Sequence, residues 1–155
     1  KKLGLERKSF FVTEEIKGQC LTDFIAAKWA GLDRGEKDKI IVELARTSRK
    51  AHEAGISLPD LYVWHFFVLD GQADYKFVVI DLHRMKIRVK SKDEFARNLG
   101  AMMHSMIDKY FSQDDKKLFM DSYFGDSWRG DKENFLKMAH AREEVHNRRR
   151  RKPKY

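Results

Sequence analysis

Cysteine occurs once in the 155 residues, at position 20. One thiol cannot form an internal disulfide or a multi-cysteine zinc site, so the chain is expected in a reducing compartment. Proline occurs twice, and Pro59 is the one that interrupts a run of otherwise regular sequence. No apolar run approaches the ~20 residues of a membrane-spanning helix. The opening Lys-Lys-Leu-Gly does not read as a secretory signal. There is no internal repeat, and the only low-complexity stretch is a basic run near the end.

What is present supports a packed domain. Hydrophobic residues make up 42% of the chain and include 11 Phe, while 36% is charged, so a core is affordable and much of the surface is solvated. The formal net charge is +8. That surplus favours an acidic partner: nucleic acid, anionic lipid or a phosphate-bearing sugar. Part of it lies in "HNRRRRKPKY", which reads either as a solvated tail or as a segment drawn to an anionic surface.

Periodicity divides the chain into elements. "RKSFFVTEEIKG" reads as a strand ended by Gly18. "QCLTDFIAAKWAG" carries Leu21, Phe24, Ile25 and Trp29 at helical spacing. A longer helix is expected from Arg34 to Ala54, with Ile41, Leu44, Ala45, Ser48 and Ala51 on one face and Gly55 closing it. Pro59 disfavours helix before it, so residues 56–65 read as a loop. "FFVL" and "YKFVVID", separated by "DGQAD", read as a hairpin. A basic strand-like run follows Arg84. Three helical segments complete the chain, the first with Phe95, Leu99, Met102, Met103 and Met106 as an ordinary core stripe. The expected class is α+β, mainly helical with one small hairpin.

The hairpin organises the polar residues. Asp60 and His65 precede its first strand, and Asp81 ends its second. A hairpin brings its outer ends together, so the two carboxylates and the imidazole should converge. Each has a simpler reading alone: Asp60 as a turn residue, His65 as a satisfied core histidine, His83 as a surface residue. His52 reads as structural. Trp29, Trp64 and Trp128 read as core, and Tyr62 as either packing or pocket lining.

The order Asp60-Leu-Tyr-Val-Trp-His65, hairpin, Asp81-Leu-His resembles the catalytic loop and metal-binding segment of protein kinases. The run "AHEAGISLPDLYVWHFFV…VVIDLHR" is similar, more specifically, to the lipopolysaccharide core kinase family (Kdo/WaaP type). The likeness covers roughly residues 8–90. It implies a protein-kinase-like large lobe, with residues 1–18 as the end of the small lobe and hinge, 19–147 as the C-terminal lobe and 148–155 as a basic tail. It implies Asp60 as catalytic base or orienter and Asp81 as the Mg²⁺ ligand, with His65 at the second metal position. Backbone groups of Glu14 and Ile16 would meet the adenine of ATP. Tyr62, His83 and Arg84 become possible substrate or phosphate contacts, Arg84 pairing with Asp81 or a phosphate. The implied acceptor is a heptose or Kdo hydroxyl of an inner-core glycolipid, reached by a cytoplasmic protein peripheral to the inner membrane.

The sequence departs from the protein-kinase pattern. Leu58-Pro59 stand where His-Arg is usual, and imidazole at position 65 is a poorer Mg²⁺ ligand than an amide oxygen. No Gly-rich phosphate loop, strand lysine or helix glutamate precedes the hinge-like segment, so this stretch alone is expected to be a fragment with little or no activity. Three alternatives stand beside the kinase reading. A pseudokinase scaffold would lack the lysine in its full-length form. A basic nucleic-acid-binding protein would use the tail and "HRMKIRVKSK", although no nucleic-acid module is present. A metal hydrolase would use Asp60, His65, Asp81 and His83, although no His-x-x-x-His pair is present.

Overall fold

The computed structural model describes residues 15–69, 74–126, 128–149 and 153–155. The described residues form a mixed structure of five α-helices and a small antiparallel sheet. The elements are β1 (Gly18–Cys20), α1 (Leu21–Lys28), α2 (Arg34–Glu53), β2 (Phe66–Leu69), β3 (Phe77–Val79), α3 (Lys92–Ser105), α4 (Gln113–Phe124) and α5 (Lys132–Arg149). Short 3₁₀ turns lie at Trp29–Gly31, Val63–His65 and Leu82–Arg84.

The helices begin where side chains can satisfy free backbone donors. Asp33 caps α2 by accepting from Glu36 N at 2.8 Å, and Glu36 returns the contact to Asp33 N at 3.1 Å. Ser112 and Asp115 make the same reciprocal cap on α4. α2 buries Ile40, Ile41, Leu44, Ala45, Ser48 and His52, one stripe at helical spacing. The expected face is present, with Ala51 at its half-buried edge. α2 packs along α4, and α3 along α5. Met102, Met103 and Met106 are fully or almost fully buried, so the methionine stripe is core.

The hairpin of β2 and β3 pairs Phe66 with Val79 and Val68 with Phe77. It is not an isolated ribbon. β1 adds a third strand on the far edge of β2, pairing Gly18 with Leu69 and Cys20 with Phe67. Gly18 therefore opens a strand rather than ending one. β2 passes so close that a Cβ at position 18 would stand 2.3 Å from Val68 O. The expected strand at Phe10–Val12 lies outside the described residues, as does Glu14. The strand-like run after Arg84 is not a strand. Among the described residues, Lys86 pairs in an isolated bridge with Ser57, Val89 N donates to Gly55 O at 2.8 Å, and Arg88 at φ +59° breaks the extended path between them.

α5 continues through Arg149, and Tyr155 returns to the domain. Its hydroxyl donates to Ser105 O at 2.6 Å, and its ring stacks on Tyr110 at 5.6 Å. Burial raises the Tyr155 phenol well above its ordinary range.

Candidate active site

The loop between α2 and β2 is held from three directions. Ser57 exchanges backbone hydrogen bonds with Lys86, at 2.8 and 3.0 Å. Leu58 N donates to Asn98 Oδ1 at 2.8 Å, and Val63 N donates to Ser105 Oγ at 2.9 Å. The last two acceptors lie on α3, so a core helix sets the path of Pro59 and Asp60. Asn98 is itself held, because His52 Nε2 donates to the same oxygen at 3.1 Å. His52 Nδ1 then accepts from Tyr123 Oη at 2.8 Å, and Phe95 stacks on the ring at 4.4 Å. Burial pushes the His52 pKa down to about 4, so the ring is neutral at pH 7.

His65 joins the two carboxylate-bearing segments. Its Nδ1 donates to the backbone carbonyl of Asp60 at 2.7 Å. Its Nε2 lies 3.5 Å from Asp81 Oδ2. Because a carbonyl can only accept, Nδ1 carries a proton. A neutral ring then points its Nε2 lone pair toward a carboxylate oxygen. That approach is attractive only with a proton on Nε2 or a cation shared with Asp81. The Ile80 N to His65 O bond, 2.9 Å, continues the hairpin pairing up to Asp81.

Asp81 sits at φ +58°, a left-handed conformation that Asp tolerates better than most residues. The 3₁₀ turn that follows folds His83 back, and its Nδ1 donates to Asp81 Oδ1 at 2.5 Å. The His83 hydrogen bond, aided by the nearby His65, holds the Asp81 carboxyl below the usual carboxylate range. The same turn carries Arg84 over the loop. Arg84 Nη1 reaches Asp60 Oδ1 and Oδ2 at 3.0 and 3.1 Å. Arg84 thus pairs with Asp60, not with Asp81. The expected carboxylate partner was the wrong one, because the 3₁₀ turn directs the side chain back toward residue 60.

Asp60 and Asp81 border one narrow cleft with Leu58, Val79 and Arg84. Asp60 also forms part of a second cavity with Tyr62 and Arg84. Tyr62 is buried and stacks on Trp64 at 4.4 Å. Ile16 lies half-buried two residues ahead of β1. That is the opposite edge of the sheet from β3, which leads to Asp81. Among the described residues, no group of three or more His, Cys, Asp or Glu side chains is placed to hold a metal ion. An all-protein transition-metal site of the hydrolase kind needs such a group.

Two residues that shape this site escaped the sequence reading. Asn98 and Ser105 bind the loop from α3, thirty-eight and forty-five positions away from Asp60. A signal for Asn98 existed: it is a polar residue beside the apolar stripe of Phe95, Leu99 and Met102, and buried polar residues are the informative ones. Its partner was not legible.

A family model described as "Lipopolysaccharide kinase (Kdo/WaaP) family" matches residues 1–123. Lipopolysaccharide core heptose(I) kinase WaaP of Escherichia coli (strain K12) is 33% identical over 150 residues, covering 90% of this chain and 57% of the relative. The Pseudomonas aeruginosa protein of the same name is 28% identical over 123 residues, 75% of this chain and 46% of the relative. The chain therefore spans about half the length of the curated relatives it matches. A solved structure, "WaaP in complex with acyl carrier protein", superposes with a TM-score of 0.69 at 23% identity, over 86% of this chain and 60% of that one. At that identity the likeness speaks for the fold alone. No helix among the described residues is long and apolar enough to cross a membrane. With its family model matched over most of its length, the chain belongs to the lipopolysaccharide kinase (Kdo/WaaP) family.

Proposed function

We propose that this chain is the catalytic-lobe part of an ATP-dependent kinase that phosphorylates a heptose or Kdo hydroxyl of the lipopolysaccharide inner core. The observation that carries this reading is His65, which contacts Asp60 through one ring nitrogen and Asp81 through the other. Residues 1–18 would be the end of the small lobe and hinge, with Glu14 and Ile16 offering backbone groups to adenine. Residues 19–147 would be the large lobe, and 148–155 a basic segment suited to an anionic membrane surface. The family match and the likeness to a solved WaaP fold support the assignment.

Asp60 would receive the proton of the acceptor hydroxyl as its oxygen bonds to the γ-phosphorus of ATP and the bond to the ADP oxygen breaks. Its position between backbone anchors suits a group that must orient an oxygen as well as accept a proton. Arg84 would have to yield one carboxylate oxygen for that contact. Asp81, with His65 beside it, would hold Mg²⁺. One carboxylate fits a hard ion that completes its shell with phosphate and water oxygens, and a shared cation would also relieve the lone pair of His65. When bound, Mg²⁺ would neutralise charge on the phosphates. His83 would keep Asp81 in place, and Tyr62 would line the acceptor side.

The test is phosphate transfer from ATP to an unphosphorylated inner-core acceptor by the full-length protein containing this chain. Asp60→Asn and Asp81→Asn should each cut transfer by roughly 10²-fold or more and leave the circular dichroism spectrum unchanged. Near-normal turnover in either variant removes that residue from its role.

A further inference from the structure

The cavity on the Tyr62 side of Asp60 holds about 210 Å³, the scale of a single sugar ring rather than a nucleotide. Four cationic side chains line it, Arg84, Lys86, Arg97 and Arg142, against two carboxylates, Asp60 and Glu94. Their pairing is uneven. Arg84 is engaged by Asp60 at 3.0 Å. Lys86 and Arg97 share Glu94 at 2.7 and 3.9 Å, and Arg97 also meets Asp93 at 3.1 Å. Arg142 has no ion-pair partner among the described residues, and its buried Nε has no hydrogen-bond partner there. A guanidinium keeps its charge at any ordinary pH, so Arg142 brings to the cavity a positive charge that no carboxylate among the described residues pairs with.

The placement of Arg142 is built in. α3 and α5 approach closely at Gly100, where a Cβ would stand 2.6 Å from both Ala139 O and Arg142 Cβ. The bare backbone of Gly100 is therefore the seat for the Arg142 stem. The cavity adjoins the cleft that Asp81 lines and shares Pro59, Asp60 and Arg84 with it, but Asp81 is not among its own lining residues. An anion bound in it would be on the acceptor side of the candidate base, away from the carboxylate assigned to the nucleotide's metal.

We propose that this cavity is an oxyanion subsite for the acceptor. It recognises a carboxylate or phosphate carried next to the sugar whose hydroxyl faces Asp60, and Arg142 is the residue that pairs with it. Planar guanidinium groups match two-oxygen anions, and a charge read beside the reacting ring fixes which hydroxyl reaches the base. The proposal rests on the reading of Asp60 given above.

The experiment uses the full-length protein and three heptoside probes. One carries a carboxylate on the aglycone, one a phosphate monoester, and one the neutral methyl ester of the carboxylate. Binding is measured by calorimetry without nucleotide, and transfer by ATP-dependent kinetics. An anionic probe should bind at least 10-fold more tightly than the ester and show a correspondingly lower KM. Arg142→Gln should remove that preference. Arg142→Lys should keep part of it, and Gly100→Ala, which displaces the arginine stem, should weaken it. Whichever anionic probe is preferred identifies the group recognised. Equal binding of acid and ester by the wild type, or an undiminished preference in a folded Arg142→Gln protein, overturns the proposal. Transfer to all probes with no anion preference would sink the subsite and leave the kinase reading standing. An Arg142-dependent preference in binding with no transfer to any probe would do the reverse.

Discussion

The two carboxylates of the candidate site are held in different ways. Asp60 is 13% exposed and sits on a loop whose backbone is tied to Asn98 and Ser105 of a buried helix. Asp81 is 41% exposed and opens a segment, residues 81–88, that is exposed throughout, including Leu82, Met85 and Ile87. It is kept in place mainly by two histidines and the end of the hairpin. A group that must orient a hydroxyl gains from a fixed path, because catalysis by positioning is lost with displacements of an ångström. A group that meets a metal and its phosphates can settle when they arrive. The contrast between a core-anchored loop and an exposed turn thus matches the two roles proposed.

The strongest way to break this contrast is to remove each carboxylate and vary Mg²⁺. Asp60→Asn should lower kcat by roughly 10²–10⁴-fold, the span of general-base contributions, with no change in the Mg²⁺ concentration needed for half-maximal rate. Asp81→Asn should raise that concentration as well as lower the rate. Identical Mg²⁺ titrations for the two variants would erase the distinction.

Next in size is the anchor itself. Asn98→Ala strips two buried donors, Leu58 N and His52 Nε2, of their shared acceptor. Each unsatisfied buried donor costs about 1–3 kcal/mol. The melting temperature should fall by several degrees, and kcat should fall because the loop that carries Asp60 loses its anchor on α3. A variant that melts normally would show the loop to be held by something other than α3.

The pH dependence of stability sharpens the same point. The His52 pKa is depressed to about 4 in the folded state against 6.5 unfolded, so between these values the unfolded chain binds the extra proton. Stability should fall as pH drops from about 6.5 to 4, by up to roughly 3 kcal/mol from this one group. Chemical denaturation across that range checks the slope, and His52→Gln should flatten it.

The smallest effect belongs to the exposed side. Arg84→Met breaks the pair with Asp60, but the guanidinium is 56% exposed. Unfolding free energy should change by less than about 1 kcal/mol. A larger loss in urea titration would mean that the exposed turn braces the loop, contrary to the comparison.

Much of the architecture was legible along the chain. The α2 stripe repeats at helical spacing, and the methionine stripe of α3 does the same. "FFVL" and "FVV" flank turn residues, so the hairpin and the meeting of His65 with Asp81 follow from local pattern. β1 was less legible. Its pairing with β2 depends on a close backbone approach at Gly18, and such an approach leaves no periodicity in three residues. The partner of Arg84 was missed for a related reason. A left-handed residue at Asp81 and the 3₁₀ turn after it reverse the side chain's direction, and neither is announced by composition.

Local pattern by itself determined the helices, the hairpin and the order Asp60, His65, Asp81, because hydrophobic spacing and turn chemistry act between near neighbours. Tertiary structure alone decided that Asn98 carries the loop, that Arg84 covers Asp60, and that Arg142 lies over Gly100 at the edge of the cationic cavity. Those outcomes depend on how α3 packs against α5 and on the path of the chain after Asp81. Contacts between residues 24 to 40 or more positions apart are set by packing in three dimensions, which no short window of sequence encodes.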